Sequence, residues 1–119
     1  MPLAIPKLNA DVLSNSKIKE FGFLVRPVIA RYCSIDGVLL TETAIDWDVR
    51  ENHPGSIMPD FCLDIHTYDY EARIQKLTED EMLALKAEII AVAAQVGLTL
   101  SSDEKWLWMR YVNQLGLHV

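Results

Sequence analysis

Apolar and polar positions alternate with period two in two stretches of the chain, and a third stretch follows the 3.6-residue period of a helix. The first alternating stretch runs from Phe21. "FGFLV" leads into Pro27, which lacks a ladder donor and belongs at a strand edge or break. "VIARYCSIDGVLLTETAIDWDV" then reads as a hairpin, with Asp36-Gly37 as a two-residue turn of positive φ. That register sets Ile35 against Val38, Cys33 against Leu40 and Arg31 against Glu42. Leu39, Thr41, Thr43, Ile45, Trp47 and Val49 share one face of the second strand, with Glu42, Ala44, Asp46, Asp48 and Arg50 on the other.

"ENHPGSIMP" is a loop by its Asn, Pro, Gly and Ser content. Alternation resumes over residues 61 to 70, with Phe61, Leu63, Ile65 and Thr67 inward and Cys62, Asp64, His66, Tyr68 and Tyr70 outward. "EARIQKL" reads as a transition. Thr78 with Glu81 has capping-box spacing and opens a helix that Gly97 ends. A second helix is predicted from "SSDE" to Gly116, and residues 1 to 20 are an extended start with Pro2 and Pro6, then a short turn of helix capped by Asn9. Strands followed by helices give an α+β domain spanning residues 1 to 119. Its expected core is an antiparallel sheet of three to four strands with two C-terminal helices packed on one face.

Composition adds limits rather than chemistry. Half of the residues are hydrophobic and 24% charged, which suits a packed globule, and the net charge of −6 disfavours nucleic acid or an anionic membrane as a partner. No apolar run approaches the ~20 residues that span a bilayer, and no targeting segment is evident. Cys33 and Cys62 sit in apolar patterns and are expected as free, buried thiols of a cytoplasmic protein.

The stretch "DFCLDIHTYDY" concentrates side chains capable of chemistry. Along a strand, however, Cys62 and His66 stand ~13 Å apart, so they form no dyad and share no zinc ion. Only Asp64 with His66 or Cys62, joined by His53 from the loop, would hold a metal, and a wet strand face is the simpler reading. No phosphate loop, nucleophile elbow, H-E-x-x-H or C-x-x-C motif is present, which weighs against an enzyme, and no cofactor is expected.

What remains is surface. Glu42, Asp46, Asp48 and Asp64 make an acidic sheet face edged by Tyr68 and Tyr70. On the second helix Trp106, Met109 and Arg110 fall outside the core stripe beside Asn113, the composition of an interface anchor. Lys86 falls inside the apolar arc of the first helix, to be reached by snorkelling or by pairing with Glu79. Together these predict a non-catalytic, inhibitor or immunity-type domain that docks a basic protein. The alternatives are a metal-dependent hydrolase using Asp64, His66 and His53, and a homo-oligomeric structural component, such as a homodimer, with the second helix as its seam.

Overall fold

The computed structural model describes residues 2–9, 11–53, 55, 57, 59–112 and 114–119, with the side chains of 114 and 115 excepted. Parts of the "ENHPGSIMP" loop and Asn113 therefore lie outside the described residues. The chain begins with strand β1 (Leu3–Leu8) and continues into helix α1 (Asn15–Cys33). A 3-10 turn (Glu42–Ala44) and the short strands β2 (Asp46–Trp47) and β3 (Arg50–Glu51) follow. Strand β4 (Phe61–Thr67) leads to helices α2 (Glu71–Lys76) and α3 (Glu79–Gln95), then to strands β5 (Leu107–Tyr111) and β6 (Gln114–His118).

The first limb of the predicted hairpin is a helix instead, and the second limb holds the 3-10 turn and β2. Ile18, Phe21, Gly22, Val25, Ile29 and Cys33 recur at three- and four-residue spacing and are all buried, while Ser14 caps the start by accepting from the Lys17 amide at 3.4 Å. Pro27 lies inside the helix on its exposed side, where water can satisfy the carbonyl it leaves unpaired. The turn at Asp36-Gly37 does form, bridging Ile35 to Val38, but only Gly37 has positive φ (82°), so it is not a type I′ hairpin turn. Arg31 accordingly never meets Glu42. Its guanidinium pairs with Glu88 of α3, and the Glu42 carbonyl accepts from Arg26 at 2.8 Å.

The C-terminal half divides differently. Strand β4 keeps the predicted pleat, and α3 keeps both predicted ends: Thr78 Oγ1 accepts from the Glu81 amide at 3.3 Å, and Gly97 has φ 85°. The second predicted helix is instead β5 and β6. Leu107, Met109 and Tyr111 are buried and alternate with half-buried Trp108 and Arg110, a period of two that the aromatic content obscures. Gly116 is no helix stop; it lies in β6 against the Met109 main chain, where a Cβ would overlap the carbonyl.

The sheet is mixed, not antiparallel, in the order β2-β1-β4-β5-β6 with β3 also on β1. β1 runs parallel to β2 and β3, β4 runs parallel to β5, and β1 pairs antiparallel with β4. The fold is thus two strand–helix–strand units, β1–α1–β2/β3 and β4–α3–β5, joined back to back. This is an internal repeat of architecture that the sequence does not display. Helices α1 and α3 cover one face, packing Phe21, Val25 and Ile29, with Leu85 and Ile89, against the sheet core of Ala4, Leu63, Ile65, Leu107 and Met109. Among the described residues, no helix is long and apolar enough to cross a membrane.

Candidate functional site

In a parallel strand–helix–strand unit the strand's start and the helix's end lie together. At the start of β1 that end is polar. Leu3 pairs with His66 and Thr67 pairs with Tyr111, so one step beyond Leu3 the sheet brings Pro2, Thr67 and Tyr111 onto one rung. The pleat aims all three toward the helices, and all three are buried.

Arg73 closes this rung. Its side chain is 1% exposed and donates from Nε to the Cys33 carbonyl at 2.7 Å, and from Nη1 to Thr67 Oγ1 at 2.7 Å and the Tyr68 carbonyl at 3.3 Å. Lys76, one turn on, donates to the carbonyls of Ser34 (2.6 Å) and Arg31 (3.1 Å). α2 therefore exists to bring two cations onto the negative end of α1 and satisfy its last carbonyls. Among the described residues Arg73 has no carboxylate partner, so a permanent positive charge sits in the interior balanced only by neutral dipoles.

The groups beside it stay neutral. Burial pushes the Cys33 thiol up to about 11, against the opposing pull of Arg73 and Lys76. Burial likewise pushes the Tyr111 hydroxyl up to about 12, and that hydroxyl has no hydrogen-bond partner. A cavity of about 400 Å³ opens next to this end, lined by Ser34, Ile35, Asp36, Leu39, Ala72 and Lys76. Chemically, the end holds a fixed cation in its interior and an O–H donor held neutral, but no thiolate nucleophile.

The predicted site residues fall elsewhere. Asp64 is buried on the helix-free face, held by Arg110 Nε (2.7 Å) and Lys7 Nζ (3.3 Å), with His66 Nε2 at 3.2 Å. Arg110 also lies over the Trp108 ring, which stacks on His118 at 3.7 Å. Burial lowers the His118 pKa, although its ring N–H donates to the Lys105 carbonyl. Tyr68 and Tyr70 are exposed and meet edge to face at 6.2 Å. Asp46 and Asp48 are exposed at the far strand, and Glu42 is on the 3-10 turn, so no single acidic face forms. Trp106 (2% exposed) and Met109 (0%) belong to the core and not to a surface anchor. His53 bonds the Gly55 amide within its loop, and no group of three His, Cys, Asp or Glu stands ready for a metal among the described residues.

Sequence reasoning missed Pro2, Thr67, Arg73 and Tyr111. The one available signal is the basic pair Arg73 and Lys76, three residues apart and followed by a helix start.

No protein-family model matches the chain, and no curated protein matches its sequence. Solved structures do. A macrophage migration inhibitory factor-like protein from Entamoeba histolytica superposes with a TM-score of 0.62 at 15% identity, over 93% of this chain and 88% of the other. N1, a member of the cis-3-chloroacrylic acid dehalogenase family, gives 0.61 at 11% identity over 92% and 74%. A malonate semialdehyde decarboxylase gives 0.57 at 10% identity over 92% and 82%; it was solved as wild type, in inactivated form, and with alanine replacing a first-position proline. The fold is MIF/tautomerase-like. That likeness overturns the expected inhibitor or immunity-type domain, because the MIF-like neighbours include a dehalogenase-family member and a decarboxylase. Nothing in the MIF-like fold or its surface supports a basic protein partner.

Proposed function

We propose that the protein is an enzyme acting on a small carboxylic acid, with Pro2 as its proton-transfer group. The observation that carries this reading is the rung at the start of β1, where Pro2, Thr67 and Tyr111 lie together and Arg73 bonds Thr67. Where the mature chain starts at Pro2, that residue presents a secondary amine at the sheet end. A secondary amine is a group that can take and return a proton in general acid–base chemistry. Two fold neighbours act, by their names, on small acids, and one was solved with its first-position proline replaced.

The test is intact mass of the purified protein followed by kinetics on the enol of a 2-keto acid and on malonate semialdehyde. The expected result is a chain lacking Met1, with kcat/KM falling roughly 10²-fold or more in Pro2→Ala. A chain that does not start at Pro2, or a Pro2→Ala variant with unchanged rate, rejects the reading.

The helix-free face of the sheet supports self-association as part of the same reading. It carries Ile5 and Cys62 at its centre, Lys7 and Arg110 gathered on Asp64 beside them and Asp46 at one edge, a mix that can match a second copy. Light scattering that shows only monomer at micromolar concentration would reject it.

A further inference from the structure

We propose that the cavity at the start of β4 binds a small organic cation with an apolar body. The two strand–helix–strand units make this end the counterpart of the one at the start of β1, since here too a strand begins beside the end of a long helix, α3. The cavity is the larger of the two, about 790 Å³, within the range of small-molecule sites.

Its inner wall is apolar: Val12, Phe61, Leu98, Leu100 and Trp106 line it, with Phe61 and Trp106 edge to face at 5.7 Å. The polar group of that wall is already spent, because Trp106 Nε1 donates to the Ser101 carbonyl at 2.7 Å. Asp11, Asp60 and Glu104 also line the cavity, and no lysine, arginine or histidine does so among the described residues. Asp60 accepts from Asn9 Nδ2 at 2.7 Å through one oxygen, and among the described residues none of the three carboxylates is in an ion pair. The negative end of the α3 dipole adds to their field.

The nearby cation is committed elsewhere. Lys86 lies over the Trp106 ring at 5.5 Å with its Nζ on the carbonyls of Ser102 (3.1 Å) and Glu104 (2.6 Å). A guest cation therefore meets an aromatic floor and unpaired carboxylates, whereas a guest anion meets repulsion with nothing to offset it.

Isothermal titration of the full chain with tryptamine tests this, with indole-3-propionate as a probe of similar body and opposite charge. The expected result is saturable one-to-one binding of tryptamine, a shift of the Trp106 indole N–H resonance, and no binding of the acid. Affinity should fall roughly tenfold in Asp60→Asn with Glu104→Gln, since a charge-assisted contact is lost. Because Asp60 also holds Asn9, Glu104→Gln alone serves as the second variant, and a several-fold loss is expected there too. No saturable tryptamine binding, equal binding of the acid, or unchanged affinity in folded variants would overturn the proposal. None of these readouts depends on Pro2, so the enzymatic reading stands or falls separately.

Discussion

Two buried cations, Arg73 and Lys86, hold the two ends of the sheet, and they do so differently. Each reaches main-chain carbonyls in place of a carboxylate: Arg73 that of Cys33 at the end of α1, Lys86 those of Ser102 and Glu104 after α3. Arg73 also takes up Thr67 Oγ1 and cannot shed its charge. Burial lowers the Lys86 pKa, with Asp103 opposing and Lys105 reinforcing the shift. One end of the repeat thus keeps a permanent interior cation facing neutral groups. The other holds its cation over Trp106 and lines its cavity with acidic residues. A duplicated architecture can carry opposite electrostatics because the strand pairing depends on main-chain hydrogen bonds, leaving end residues free to differ.

Replacing each cation with methionine breaks the comparison most sharply. Arg73→Met strands the Cys33 carbonyl and the Thr67 hydroxyl in the interior and should cost about 3–5 kcal/mol. Lys86→Met keeps the apolar stem over Trp106 and frees carbonyls in an exposed turn, so about 1–2 kcal/mol is expected. Urea unfolding of both variants measures the difference. Equal losses would mean that the two ends are energetically alike.

The same contrast explains what the sequence made legible. α3 was readable because its signals are local: Thr78, Glu81 and Gly97 act within a few residues of the ends they set. The strand at 61–67 was readable because one of its faces is wholly core. α1 was not, since Pro27, Gly22 and its β-branched and aromatic residues all favour extended chain locally, and only packing against Trp47 and α3 overrides them. Gly22 shows this directly: a Cβ there would stand 2.7 Å from the indole of Trp47, a partner well along the chain that only its reversal after α1 brings near. The residues at the start of β1 were invisible for a related reason. Pro2, Thr67, Arg73 and Tyr111 come from four elements, and only the register of a mixed sheet collects them.

An intermediate effect should appear with alkali at the Arg73 end. The Cys33 thiol is raised from 9.0 to about 11 in the folded chain, chiefly by burial. A folded state that holds its proton more tightly than the unfolded state is stabilised below the unfolded pKa. That contribution is lost as pH rises from about 9 through about 11, and it amounts to about 2–3 kcal/mol. Tyr111, raised to about 12, acts in the same direction at higher pH. Cys33→Val should therefore flatten the decline between pH 9 and 11 in a series of urea midpoints. A decline of equal slope in the variant would assign the effect to other groups.

The smallest effect compares the starts of the two long helices. Ser14 and Thr78 each accept one first-turn amide, from Lys17 at 3.4 Å and Glu81 at 3.3 Å, and removal of such a cap typically costs ~1 kcal/mol. The surroundings differ. The first turn of α1 has no acidic residue, whereas that of α3 has Glu79, Asp80 and Glu81, whose charges continue to favour the positive end of the dipole after the hydroxyl is gone. Ser14→Ala should then destabilise by about 1 kcal/mol and Thr78→Ala by a few tenths less. Raising the salt concentration screens the carboxylates and should bring the two losses together. If Thr78→Ala is the costlier change and salt leaves the gap unaltered, the acids of α3 contribute nothing to holding its first turn.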